Sequence, residues 1–198
     1  NNKSLWSGKE PSPPATKGGC LAEERMSNIR RAAVIGAGSM GAGIAAHLAS
    51  AGIPTLLLDI PAPEGARNAF AQKGLERVLK SRPPGFLRPD HAALITVGNT
   101  EDDLGKLAEV DALVEAILEN LTVKQEMLKK LEQAVGPHTI VSSNSSGIPM
   151  KMQAAVLGPD MKKRFLGTHF FNPPRYMHLL ELIPTKDTDP AIVQKLAQ

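Results

Sequence analysis

The sequence predicts an α/β protein: a doubly wound, mostly parallel sheet with an antiparallel strand pair at its C-terminal end. Three observations predict it. Short apolar runs such as Thr55–Leu58, Ala112–Val114 and Thr139–Val141 alternate with longer helical stretches, and they read as continuous rather than alternating, as strands covered on both faces do. A glycine-rich turn, Gly36-Ala37-Gly38-Ser39-Met40-Gly41, joins the first of these strands to the first helix. Near the end of the chain, Arg164–Phe171 and Met177–Ile183 flank a short turn at Asn172–Tyr176, which suits an antiparallel pair rather than a crossover.

Residues 1–25 are rich in Pro, Ser, Gly and Lys, as in Pro11-Ser12-Pro13-Pro14, and read as a disordered tail. Glu10, Glu23 and Glu24 speak against a transit peptide, and no apolar stretch suits secretion. Met26-Ser27-Asn28 looks like a natural start, so the domain is expected over residues 26–198. Ile29–Ile35 is the first strand. Gly41–Ala51 is the first helix, closed by Gly52. Ile53–Asp59 is the second strand and Glu64–Ser81 the second helix. Lys73, Arg77 and Lys80 share one face of that helix. They read as a solvated face, with a cationic rim for a phosphate-bearing substrate as the sharper alternative.

Arg82-Pro83-Pro84-Gly85 breaks the helix. Strands follow at Leu94–Gly98, Asp111–Ala116 and Thr139–Ser143. A short helical turn is expected at Asp102–Ala108. Leu121–Val135 is an amphipathic helix ended by Gly136-Pro137, and Met150–Leu157 is another helix. Asp189 opens the last helix of the sequence.

With 198 residues, 42% hydrophobic and 22% charged, the composition is that of an ordinary globular protein. A net charge of +3 is too small to argue for nucleic acid, and no apolar run approaches a membrane span. Cys20 is the one cysteine, which excludes an internal disulfide and fits a reducing cytoplasm. No metal-ligand set is assigned.

The glycines stand in the spacing G-x-G-x-x-G between a strand and a helix, the context of a Rossmann-type dinucleotide fold. Gly36 permits the tight turn, Gly38 the approach of backbone to pyrophosphate, and Gly41 close helix packing. Asp59 ends the second strand roughly twenty residues beyond Gly36, where a carboxylate accepts from the ribose 2′-hydroxyl and repels a 2′-phosphate. The cofactor is therefore read as NAD, not NADP.

Asp59, Glu115, Ser143 and His169 all fall at predicted strand C-termini, the edge where open α/β sheets bind ligands. Pairing the last two strands across Asn172–Tyr176 sets His169 opposite Glu181, with Cβ atoms within about 5.5 Å. A carboxylate beside an imidazole fixes its tautomer and raises its basicity, the arrangement of an oriented general base. A buried structural pair is the alternative.

As a set, IGAGSMGAGIA, LLLD, VEAILEN, SSNSSG, GTHFFNP and LLELIP resemble the NAD-binding domain of the 3-hydroxyacyl-CoA dehydrogenases, over Arg30 to Ile183. The resemblance implies NAD-dependent oxidation of a (3S)-hydroxyacyl-CoA in fatty-acid β-oxidation. It implies His169 as catalytic base, Glu181 as its partner and Ser143 as the serine near the reacting oxygen. It places Glu115, Asn120 and Asn172 along the cofactor site. It also implies an acyl-CoA substrate, and a helical C-terminal domain, absent here, that closes the site and makes a homodimer. The loop style resembles long bacterial forms fused to an enoyl-CoA hydratase. Ser145 departs from the usual threonine of the family's S-N-T-S motif, and no CoA-contacting residue is assigned. A β-hydroxyacid dehydrogenase would use a lysine from a later helix, which HFFNP argues against. Crystallin-like relatives that only bind dinucleotide are the non-enzymatic alternative.

Overall fold

A computed structural model describes residues 29–197; the expectations for residues 1–25 and for the start at Met26 lie outside them. Among the described residues, seven strands form one sheet. They are β1 (Ala32–Ile35), β2 (Thr55–Asp59), β3 (Ile95–Asn99), β4 (Ala112–Glu115), β5 (Ile140–Ser143), β6 (Phe165–Phe170) and β7 (Leu180–Pro184), in the order β3-β2-β1-β4-β5-β6-β7. All neighbours are parallel except β6 and β7, which are antiparallel. The expected doubly wound sheet and its hairpin are both present.

The strands are apolar on both sides because helices cover both. Ala33, Ile35, Leu56, Leu58, Leu113 and Val141 face one cluster, with Leu128 and Leu131 of helix α3 (Leu121–Ala134). Val34, Leu57 and Val114 face the other, with helix α1 (Ser39–Ser50) and helix α2 (Ala69–Leu79). Successive residues of a strand thus serve opposite layers, as the period of two requires.

Helix α1 lies close to the sheet because Ala42, Ala45, Ala46 and Ala49 make up most of its buried face. It ends in a Schellman motif: Ile53 N–H donates to Leu48 O at 3.1 Å and Gly52 N–H to Ala49 O at 2.9 Å, with Gly52 at φ +84°. Asn120 caps α3, its side chain accepting from Val123 N–H at 3.1 Å.

Several bounds differ from expectation. Helix α2 starts at Ala69, not Glu64: Gly65 takes φ +76° and Ala62 N–H donates to Arg67 O at 2.9 Å, which makes a turn there, and the Arg67 side chain pairs with Asp102 and Glu101. The segment Met150–Leu157 divides into helix α4 (Met150–Gln153) and a 3-10 turn at Ala154–Val156. A further short helix, α5 (Pro159–Lys163), opens on a proline at its first position, a start signal that sequence reading passed over. The 3-10 segment Pro89–Leu94 takes the place of the expected start of β3. Asp189 caps helix α6 (Pro190–Leu196) as expected.

Candidate active site

The parallel strands end in register. Ile35 is level with Leu58 on one side and Glu115 on the other, Glu115 with Ser143, and Ser143 with Gly167. The glycine turn, Asp59 and His169 lie just beyond this line. From β1 the chain goes outward to β2 and β3, then returns to β4 on the other side, which makes the β1–β4 gap the switch-point crevice.

The glycine turn has the shape a pyrophosphate needs. Gly36 takes φ +98°, and a Cβ there would stand 2.6 Å from Ala116 O. A Cβ on Gly41 would overlap the Gly36 carbonyl, so the helix can start here only with glycine. A Cβ on Gly38 would meet nothing within 4 Å. The backbone at Gly38 therefore borders open space, the cradle a phosphate would fill. Ser39 and Met40 form the first turn of α1, which has no acidic residue and no side-chain cap, so its backbone N–H groups remain for an anion. Asp59 is half-buried beside this turn. Its Oδ2 accepts from Ala37 N–H at 2.7 Å and its Oδ1 from Ile60 N–H at 2.7 Å. A carboxylate has further lone pairs for a ribose hydroxyl. These residues fit a dinucleotide.

At the far end of the sheet, β6 and β7 set His169 opposite Glu181, as the turn predicts. His169 Nδ1 and Glu181 Oε2 are 2.8 Å apart. Glu181 thereby selects the tautomer with the proton on Nδ1 and leaves Nε2 for another partner. The Phe171 ring lies tilted against the imidazole at 4.7 Å between centroids. Asn144 Oδ1 accepts from Phe170 N–H at 2.9 Å and ties the loop after β5 to the strand that carries His169.

Between these two halves lies a buried polar network. Glu115 is fully buried and its Oε1 accepts from Lys124 Nζ at 2.7 Å and from Ile117 N–H at 2.8 Å. Its Oε2 accepts from Ser143 Oγ at 2.7 Å. Lys124, itself only 1% exposed, also reaches Glu119 at 3.4 Å. Glu119 accepts from Ser145 Oγ and from the N–H groups of Gly147 and Ile148, and so orders the turn after β5. Desolvation opposes ionisation of Glu119, but the bonds from Ser145 and Gly147 and the charge of Lys124 outweigh it, and its pKa is lowered.

Two of the expected site residues lie in this network. Glu115, expected along the cofactor site, is enclosed at the sheet edge and accepts from Lys124, Ser143 and Ile117. Ser143, expected as a catalytic group, is likewise buried, its hydroxyl donating to Glu115 and accepting from Ser145 N–H at 3.3 Å. Asn120 is exposed and spends its side-chain oxygen on the α3 cap, and Asn172 is exposed at the start of the turn after β6. Sequence reading missed Lys124 and Glu119. The signal for Lys124 is its place on the buried stripe of α3, with Leu128 and Leu131 one and two turns on.

Residues 31–198 match the family model described as "3-hydroxyacyl-CoA dehydrogenase, NAD binding domain". A "Probable 3-hydroxyacyl-CoA dehydrogenase" of Deinococcus radiodurans is 56% identical over 171 residues, covering 86% of this chain and 49% of that protein. A protein of the same description from Bacillus subtilis is 42% identical over 182 residues, covering 84% of this chain and 23% of that protein. Among solved structures, FadB2 of M. tuberculosis superposes with a TM-score of 0.69 at 35% identity, over 85% of this chain and 58% of that one. The chain thus spans about half the length of the first relative and about a quarter of the second. The profile covers nearly all of the described residues and the glycine cradle fits its cofactor, NAD; the chain belongs to the NAD-binding domain family of the 3-hydroxyacyl-CoA dehydrogenases.

Proposed function

We propose that this chain provides the cofactor-binding and proton-transfer half of an enzyme that oxidises (3S)-3-hydroxyacyl-CoA to 3-oxoacyl-CoA, a step of fatty-acid β-oxidation. The observation that carries this reading is the His169–Glu181 bond of 2.8 Å, at the same sheet edge as the glycine cradle. Gly36 to Gly41 and Asp59 hold the dinucleotide. When bound, NAD supplies the hydride acceptor. His169 Nε2 takes the proton from the C3 hydroxyl, while Nδ1–H donates to Glu181. The imidazolium that forms lies beside a carboxylate, which stabilises it without moving. In the reverse direction, the same nitrogen returns the proton as general acid. Phe171 packs tilted against the ring, 4.7 Å between centroids. The buried Glu115–Lys124–Ser143 set holds the ends of β4 and β5 that separate cradle from base. Closure over the acyl chain and dimer contacts belong, in this proposal, to a further domain of the longer protein. The site is expected to act in the cytoplasm.

The test is NADH-dependent reduction of acetoacetyl-CoA by a longer protein that contains this chain. His169→Gln should lower kcat by on the order of 10²–10⁴ while NADH affinity holds. Full turnover by His169→Gln, with loss only of thermal stability, would make the pair structural.

A further inference from the structure

Ala37, in the middle of the glycine turn, is gripped from both sides through two successive peptide groups. Its N–H donates to Asp59 Oδ2 at 2.7 Å. Its carbonyl accepts from Arg77 Nη2, also at 2.7 Å, although Arg77 is an exposed residue of α2 forty positions along the chain. The helix is built to make this contact. Gly74, one turn before Arg77, packs directly on the same peptide: a Cβ there would stand 2.5 Å from Ala37 O and 2.7 Å from Ala37 Cβ. Gly74 and Arg77 share a helix face by their i, i+3 spacing. The face that sequence reading gave to solvent therefore has one member aimed at the turn. Ala71, Leu75 and Val78 anchor α2 in the core, so the arginine projects from a fixed support.

We propose that Arg77 is a positioning residue of the NAD site, acting through the Ala37 carbonyl. This rests on the assignment of the glycine turn to the pyrophosphate. A glycine-rich turn free to rotate at Ala37 would have to be ordered by the ligand, at the ligand's expense. Arg77 orders it beforehand. Its grip orients the Ala37–Gly38 peptide while Asp59 holds the Gly36–Ala37 peptide, so the two together fix Ala37 between the ribose-binding carboxylate and the phosphate-binding backbone. Arg77 acts on the adenosine-diphosphate half of the cofactor and leaves the nicotinamide half alone.

The experiment is fluorescence titration of the full chain with NADH, with ADP-ribose as competitor. Arg77→Met should weaken NADH and ADP-ribose alike by about tenfold, the scale of one hydrogen bond to a charged group. The number of sites should stay at the parent's value, because a partly unfolded variant would lose sites rather than affinity. Arg77→Lys, which keeps a cation and a donor on the same face, should recover part of the loss. Lys73→Met, an exposed cation one turn earlier, should bind NADH as the parent does. Parent-like affinity in Arg77→Met would overturn the proposal. So would an equal loss in Lys73→Met, which would make the effect one of general charge, or a loss for NADH without one for ADP-ribose. Failure of the parent to bind NADH would instead overturn the assignment of the turn.

Discussion

Lys124→Met removes one partner of a dry ion pair. The side chain of Lys124 is 1% exposed and that of Glu115 is 0% exposed, at 2.7 Å. Water cannot replace the ammonium, so Glu115 would keep only the Ser143 hydroxyl and the Ile117 N–H as donors. Breaking a buried pair from one side costs about 3–5 kcal/mol, because the remaining charge is left uncompensated. A chain of this size loses about 2–4 °C of Tm per kcal/mol, so Tm should fall by roughly 6–20 °C. Methionine fits the stem of lysine, so a packing void adds little. The double variant Glu115→Gln with Lys124→Met removes both charges and keeps one acceptor oxygen for Ser143 or Ile117. It should recover most of the loss. Urea and thermal unfolding of the parent, both single variants and the double variant give the cycle. A Tm loss of under 2 °C in Lys124→Met, or a double variant as unstable as the sum of the singles, would refute a dry, coupled pair.

Gly38→Val should fold with parent Tm, since φ −63° suits any residue and an added Cβ meets no atom within 4 Å, yet lose NADH binding in titration because the side chain fills the phosphate cradle. Asp59→Ala should weaken NADH and narrow its advantage over NADPH in calorimetric titration, since one substitution removes the ribose acceptor, the charge that repels a 2′-phosphate and the anchor of Ala37. Acid should destabilise the domain in two windows, read from the pH dependence of urea midpoints. Burial lowers the pKa of His47, so stability begins to fall as pH drops below 6.5; Glu119 is lowered from 4.5, so its contribution is full above that value and lost as pH falls through its folded pKa. His47→Gln should flatten the first window and Glu119→Gln the second.

The doubly wound parallel sheet and the hairpin register were legible because each rests on a rule with few solutions. Parallel strands separated by helices wind one way, and a short turn between two strands permits few pairings. Glu181 was placed opposite His169 on that ground alone. The glycine cradle was legible because Gly36 and Gly41 have no alternative: one needs positive φ, the other has no room for a Cβ. Helix α2 was harder. Arg67 reads as one more helical residue until Asp102 and Glu101, far along the chain, bring it into a salt-bridge cluster. Arg77 was assigned to solvent for the same reason: its partner is a backbone carbonyl, which has no signature in sequence.

The burial of Glu115 and Ser143 is harder to read, although the information to place them is present. Both end buried strands, and strand ends in this fold point to ligand. But a strand end has two faces as well as an edge, and alternation decides which face a residue joins. Glu115 has the parity of Leu113, and Ser143 the parity of Val141; both neighbours pack in the cluster that includes α3. The side chains above them therefore turn toward that same helix. A carboxylate there is enclosed once the helix is laid down, and it must then find a cation or a set of donors on α3 or the adjoining loop. The buried stripe of α3 runs Leu131, Leu128, Lys124 toward the sheet edge, so the one charged member of the stripe is the one level with the strand ends. Parity on β4 and periodicity on α3 thus point at the same pair from opposite sides. Neither pattern is informative alone, since a glutamate at a strand end and a lysine in an amphipathic helix are each commonplace. Read together they place the Glu115–Lys124 pair at the strand ends, between the glycine turn on one side and the His169–Glu181 pair on the other.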